Sequence, residues 1–169
     1  ERYSGEDFAY GTEPNDFLVS AVQGLPPGRV LCLGAGEGRN AVWLAERGHE
    51  VTALDAARVG LDKAQRLAAE RGVDLATVHG HLAEYSLDPD FWDAIVSIFC
   101  HLPPPLRRQV HAGVGPALRP GGVFLLEAYT PAQLALGTGG APNVAMMMDL
   151  VSLRGESMAS ARSSSVAIR

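Results

Sequence analysis

A short, mostly apolar run, Arg29-Val30-Leu31-Cys32-Leu33, leads directly into Gly34-Ala35-Gly36-Glu37-Gly38, and Arg39-Asn40 then opens an amphipathic segment. No other stretch limits the fold as strongly. A run of this kind suits a strand buried on both faces, as in a parallel sheet. Alternating glycines permit unusual dihedrals and let a ligand come close to the main chain. The helix that follows turns free N–H groups and its positive dipole end towards the same place. A strand, a glycine turn and a helix in that order build a small-molecule site beside the first strand.

The rest of the chain repeats this alternation. Residues 1–22 begin with an aromatic-dotted polar arm (Tyr3, Phe8, Tyr10) and continue into a short helix that Asn15 or Asp16 can cap. That arm reads either as a loose lead-in to a surface helix or as a lid whose aromatics close over a ligand. A helix over 40–48 ends at Gly48, and residues 50–54 form a second strand ending at Asp55. Residues 57–71 give the clearest helix, with Leu61, Ala64, Leu67 and Ala68 facing inward and Gly72 as its C-terminal cap. Strands are expected over 75–78, 91–99 and 123–127. The Pro103-Pro104-Pro105 start supports a helix carrying Leu106, Val110, Val114 and Leu118, which Gly113, Gly115 and Pro116 should break early. An apolar helix is expected over about 143–153, and the Ser- and Ala-rich stretch 157–169 shows no periodicity. The expected class is therefore α/β, a Rossmann-like doubly wound and mostly parallel sheet.

Composition narrows the partners. The chain has 169 residues, 47% hydrophobic and 20% charged, which fits one domain with a substantial core. Its formal charge of −5, with Lys63 as the only lysine, argues against a surface built for nucleic-acid phosphates. No apolar run approaches the roughly 18 residues of a membrane span, and no signal pattern opens the chain, so a cytoplasmic setting is the default. Cys32 and Cys100 stand apart in apolar surroundings and are expected as buried free thiols.

Asp55 ends the second strand about 20 residues beyond the glycine turn, where a carboxylate commonly holds ribose hydroxyls. Both dinucleotide and S-adenosylmethionine folds use such a group. The glycine spacing separates them. Dinucleotide turns run G-x-G-x-x-G, but the third position here is Arg39, and the glycines run G-x-G-x-G instead.

With these features the chain resembles the class I S-adenosylmethionine-dependent methyltransferases, and more narrowly their tellurite-resistance and thiopurine methyltransferase-like branch. The narrower likeness rests on Tyr10-Gly11-Thr12-Glu13-Pro14-Asn15-Asp16-Phe17-Leu18 in the arm and Gly36-Glu37-Gly38-Arg39-Asn40 in the turn. Ser97-Ile98-Phe99-Cys100-His101-Leu102-Pro103 and Leu118-Arg119-Pro120-Gly121-Gly122 complete it. The likeness covers roughly residues 2–155, so 1–155 is expected as the S-adenosylmethionine-binding domain and 156–169 as a poorly specified tail. It implies that Gly34, Ala35 and Gly36 pass the methionine portion of the cofactor, that Asp55 holds the ribose, and that Ala56 flanks the adenine. Tyr10 and Asn40 join the cofactor set. His81, Leu82 and Ala83 stand where relatives read the adenine amino group, and Phe99 would lie beside the sulfonium. It also favours an arm folded over the cofactor.

The chain departs from the general pattern in two places. Cys32 stands where many class I enzymes carry an acidic residue two places before the first glycine. After residue 153 only Ser163-Ser164-Ser165-Val166-Ala167-Ile168 can make a strand, so the sheet is expected to lack its last one or two strands, as in a trimmed fragment or a truncated product. The function implied is methyl transfer from S-adenosyl-L-methionine to a small-molecule acceptor: a thiol, a chalcogen oxyanion or a thiopurine-like compound. His101, after the fourth strand, is either a base for a protonated acceptor or a packing residue, and Tyr129 follows the fifth strand. Competing readings are an S-adenosylmethionine-binding module without turnover and, less well supported, a nucleotide-dependent oxidoreductase. No catalytic residue, metal site or oligomeric state is assigned.

Overall fold

A computed structural model describes residues 3–137, 140, 143–149, 151, 153 and 165–168. Six strands form one sheet in the order β3-β2-β1-β4-β5-β6: β1 (Arg29–Leu33), β2 (Glu50–Asp55), β3 (Ala76–His79), β4 (Trp92–Ile98), β5 (Leu118–Glu127) and β6 (Ser165–Ile168). Every pairing is parallel. The chain runs outward from β1 to β3, then returns to lay β4 on the other side of β1. The reversal leaves a crevice at the carboxyl ends of β1 and β4, the place where open α/β sheets bind ligands.

Side-chain alternation along the strands fills two cores. Val30, Cys32, Val51, Ala53, Ala94, Val96 and Leu125 face one side, under α1 (Asp16–Ala21), α2 (Arg39–Ala45) and α3 (Arg58–Arg71). Leu31, Leu33, Leu54, Ile95, Phe124 and Leu126 face the other, against Val110 and Val114 of α4 (Pro104–Ala117). The expected inner face of α3 is buried as a set, and Gly72 caps it in a left-handed conformation. Asn15 caps α1 by accepting the Leu18 N–H at 3.0 Å.

Four expectations need correction. First, α4 does not break at Gly113, Gly115 and Pro116. The backbone of 90–91 donates to the Pro116 and Ala117 carbonyls at 2.9 and 3.0 Å, so partners outside the helix satisfy its last turn. Second, β5 begins at Leu118, opposite Trp92, and the glycine turn of 119–122 becomes an irregularity inside the strand. Third, no single helix fills 143–153. Asn143 caps a 3-10 turn, Val144–Met146, and Met147 then extends so that the Met148 N–H reaches the Tyr129 carbonyl at 2.9 Å. Separately, a four-residue helix α5 (Gln133–Leu136), which no sequence pattern announces, precedes this turn. Fourth, the tail is not wholly without structure. Residues 165–168 pair with Val123–Leu126 and occupy the open edge of β5, which supplies unpaired N–H and C=O groups. A sixth strand therefore closes part of the expected deficit, while 154–164 and 169 lie outside the described residues. No helix among the described residues is long and apolar enough to cross a membrane.

Candidate functional site

The glycine turn floors a cavity of about 480 Å³ at the reversal point of the sheet. That volume falls within the range of about 300–1,000 Å³ usual for small-molecule sites. Gly34, Ala35 and Gly36 form the floor; Ile98, Phe99, His101 and Tyr129, at the ends of β4 and β5, form one wall; Tyr3, Tyr10 and Gly11 of the arm cover the mouth; Glu37, Arg39 and Asn40 complete the polar rim with Gly140.

Each part of the floor is fixed locally. The Ala35 N–H donates to the Leu54 carbonyl at 3.1 Å, which ties the turn to the end of β2. Gly36 is left-handed (φ 56°), and a Cβ there would lie 2.8 Å from the Tyr3 hydroxyl oxygen. The same Gly36 donates its N–H to Asp55 Oδ2 at 2.7 Å, while Asp55 Oδ1 accepts the Ala57 N–H at 2.7 Å. Two backbone amides therefore hold the half-buried carboxylate rigid between the turn and α3. Each carboxylate oxygen keeps a second acceptor site for a ligand.

The aromatic wall is equally defined. Phe99 adopts φ 52°, unusual for a bulky side chain, and its N–H donates to the Glu127 carbonyl at 2.9 Å. Its ring stacks on Tyr129 at 4.6 Å between centroids, and Tyr129 lies parallel to His101 at 5.6 Å. Strained backbone at a strand end, directed into a cavity, is typical of functional positions. Beneath this wall, burial pushes the Cys100 thiol up to about 12, with the Asp55 charge adding to the effect. Burial alone does the same to Cys32, also to about 12. Both are free cysteines and stay protonated at neutral pH, which removes them as nucleophiles.

The structure brings together Tyr10, Gly34, Ala35, Gly36, Asn40 and Phe99 around the cavity and sets Asp55 beneath it through Gly36. It does not bring the other named residues to the lining. Ala56 is exposed, and its carbonyl meets His79 Nε2 at 3.1 Å. His81 is exposed, and its carbonyl accepts the Glu84 and Tyr85 N–H groups. Leu82 packs with the second core and borders a separate hollow of about 240 Å³ with Leu33 and Tyr85, and Ala83 is exposed beside Gln109. Arg39, read from the sequence as the residue in place of a third glycine and as part of the Gly36–Asn40 motif, borders the cavity, with Nη1 3.4 Å from the Tyr10 carbonyl. Glu37, named in the sequence only as part of that motif, is buried and paired with Lys63 at 2.7 Å. The lone lysine on a helix was the available signal.

Comparison with known proteins adds a second line of observation. The sequence profile of the family described as "Methyltransferase domain" matches residues 30–122. A 2-heptyl-1-hydroxyquinolin-4(1H)-one methyltransferase of Mycobacteroides abscessus is 33% identical over 130 residues, 74% of this chain and 56% of that protein. The structure of TehB from Haemophilus influenzae superposes with a TM-score of 0.70 at 19% identity, covering 84% of this chain and 49% of that one, a likeness of fold. A Burkholderia thailandensis 1,6-didemethyltoxoflavin-N1-methyltransferase, solved with 1,6-didemethyltoxoflavin and S-adenosylhomocysteine, superposes with a TM-score of 0.53 at 27% identity, covering 64% and 50%. The chain spans about half the length of the curated relatives it matches.

Proposed function

The chain belongs to the methyltransferase-domain family, and from that premise we propose that it transfers the methyl group of S-adenosylmethionine to a small-molecule acceptor. One observation carries the reading: Asp55, locked by the Gly36 and Ala57 amides, lies beside a cavity floored by Gly34, Ala35 and Gly36. A ribose diol needs such a paired acceptor, and a methionine chain needs a floor without side chains. The residues present fit the cofactor on both counts. When bound, S-adenosylmethionine supplies a methyl carbon already activated by its sulfonium.

The remaining work belongs to the chain. The floor and Asp55 orient the cofactor, and Tyr10 and Asn40 border its methionine end. Phe99, Tyr129 and His101 exclude water from the acceptor side, and a dry, oriented site is worth much in an in-line displacement. An acceptor held against this wall would face the activated methyl group, and any proton it carries would pass to solvent or to His101. Ala56, after β2, and His81, Leu82 and Ala83, after β3, remain the proposed adenine neighbours. The tellurite-resistance and thiopurine-like branch is supported by the arm motif and by the fold shared with TehB. Acceptors to be tried first are thiols, chalcogen oxyanions and thiopurines, together with the hydroxyquinoline type named for the Mycobacteroides relative.

Titration calorimetry with S-adenosylhomocysteine tests the site. Asp55→Asn should weaken binding by about 10- to 100-fold, the cost of replacing a charged acceptor that takes two hydroxyl hydrogen bonds. Tighter binding of NAD than of S-adenosylhomocysteine would overturn the assignment, and S-adenosylhomocysteine release with one of these acceptors would establish turnover.

A further inference from the structure

Lys63 has no role in the reading above, yet it is buried and is the only lysine in the chain. From α3 its Nζ donates to Glu37 Oε1 at 2.7 Å and to the Asp7 carbonyl at 2.7 Å. The other oxygen of Glu37, Oε2, accepts the Ala9 N–H at 2.8 Å. Both side chains are sealed, 7% and 4% exposed. Glu37 is itself part of the glycine turn, so one carboxylate joins the turn, α3 and the arm. Around this joint the Phe8 ring lies 5.8 Å from Lys63 Nζ and 5.5 Å from the Arg66 guanidinium, and the Tyr3 ring lies over Gly60. A second anchor fixes the far end of the arm: the Asn15 N–H donates to Asn40 Oδ1 at 2.9 Å, and Asn15 Nδ2 donates to Glu127 Oε2 at 2.6 Å. Tyr10 and Gly11 span the cavity mouth between the two anchors.

We propose that Lys63 is a positioning residue: its clip with Glu37 fastens residues 7–9 onto the glycine turn and thereby holds Tyr3 and Tyr10 across the cavity. Ligand admission and product departure then require the clip to part. This rests on the cavity being the cofactor site. A buried ion pair is weak evidence for stability, because desolvation offsets its attraction, and its best-attested use is to fix one arrangement among several. Here the arrangement fixed is that of an arm with no fully buried hydrophobic among residues 3–14, Phe8 being partly buried against Val42, Leu67 and Ala68. Removing either partner strands a buried charge and frees one backbone group of the arm, the Asp7 carbonyl with Lys63 or the Ala9 N–H with Glu37.

Because Lys63 is alone, trinitrobenzenesulfonate gives one side-chain reporter of the clip, read by peptide mass spectrometry. In the full chain, labelling at Lys63 should be slow and should slow at least tenfold further with saturating S-adenosylhomocysteine. Lys63→Met should raise amide exchange at residues 6–10 at least tenfold while the β1 and β4 amides stay protected, and should speed S-adenosylhomocysteine dissociation in stopped flow at least tenfold. If that variant fails to fold, Lys63→Gln, which keeps a donor for Glu37, carries the same two measurements. Unchanged exchange at 6–10 together with unchanged dissociation overturns the proposal. If S-adenosylhomocysteine does not bind the unaltered protein, the cofactor reading and the gating both fall, and exchange at 6–10 alone decides whether the clip holds the arm.

Discussion

Gly38 caps α2 in a left-handed conformation (φ 85°), and a Cβ there would run into the Cβ of Ala64 and lie 2.9 Å from its Cα. The opposing atoms belong to the spine of α3 and cannot swing aside as a flexible side chain could. Gly38→Ala should therefore destabilise by about 2–4 kcal/mol, from left-handed strain plus overpacking, read as a lower denaturant midpoint at unchanged slope. The glycine spacing marked Gly38 as part of a turn, but its contact with Ala64 of α3, 26 residues away, was not readable from that spacing. The place of Asp55 beside the turn was legible, because its distance from the turn is a chain distance. Glu37 and Lys63 were not. Their partnership joins α3 to the turn across 26 residues, and neither residue type carries a local pattern that predicts burial. For His81 the position after β3 was readable, whereas its exposure depends on how the following turn closes.

Elements were legible where one stripe or one run decided them, and were misjudged where neighbours decided. The 57–71 stripe fixed α3 almost to the residue. For α4 the local rules gave weight to two glycines and a proline, yet Val110 and Val114 bury into the second core and residues 90–91 bond the helix end. Tertiary context overrides propensity in this way. A consequence follows for Gly113, whose φ is not in the left-handed range and whose added Cβ would meet only the Leu87 Cδ1 atom, at 3.2 Å. That atom ends a flexible side chain that can give a few tenths of an ångström. Gly113→Ala should then stabilise by about 0.5–1 kcal/mol through helix propensity, seen as a raised melting temperature, the opposite sign to Gly38→Ala. The region 143–153 misled because its run of methionines is apolar without being helical. There the Asn143 cap and the Met148 contact to Tyr129 take the backbone away from a continuous helix.

For the whole molecule, parallel strands were readable from alternation, and the doubly wound class carries with it the observed strand order and the reversal between β1 and β4. The same close-packed sheet predicts how stability responds to pH. His49 is buried beside β2, and its Nδ1 lies 3.3 Å from the Gly28 N–H, an acceptor position that a protonated ring cannot fill. Burial holds its imidazole below the ordinary value of 6.5, against the opposing pull of the Asp93 charge. A depressed value means that its contribution is present above 6.5 and is lost as pH falls through the folded value. Cys32 and Cys100 act on the other side. Their thiols, pushed from 9.0 to about 12, favour the fold fully below 9, and that contribution drains as pH climbs towards 12. While the pH lies between the unfolded and folded values, each thiol lowers stability by about 1.4 kcal/mol per pH unit. Denaturation midpoints measured from pH 5 to 11 should thus form a plateau between about 7 and 9, falling on both sides. His49→Gln should flatten the limb below 6.5, and Cys32→Ala should halve the slope above 9. An acid limb that survives His49→Gln unchanged would assign that loss to another group, and a flat profile above 9 would mean that water reaches both thiols, Cys32 in β1 and the partly exposed Cys100 beyond β4.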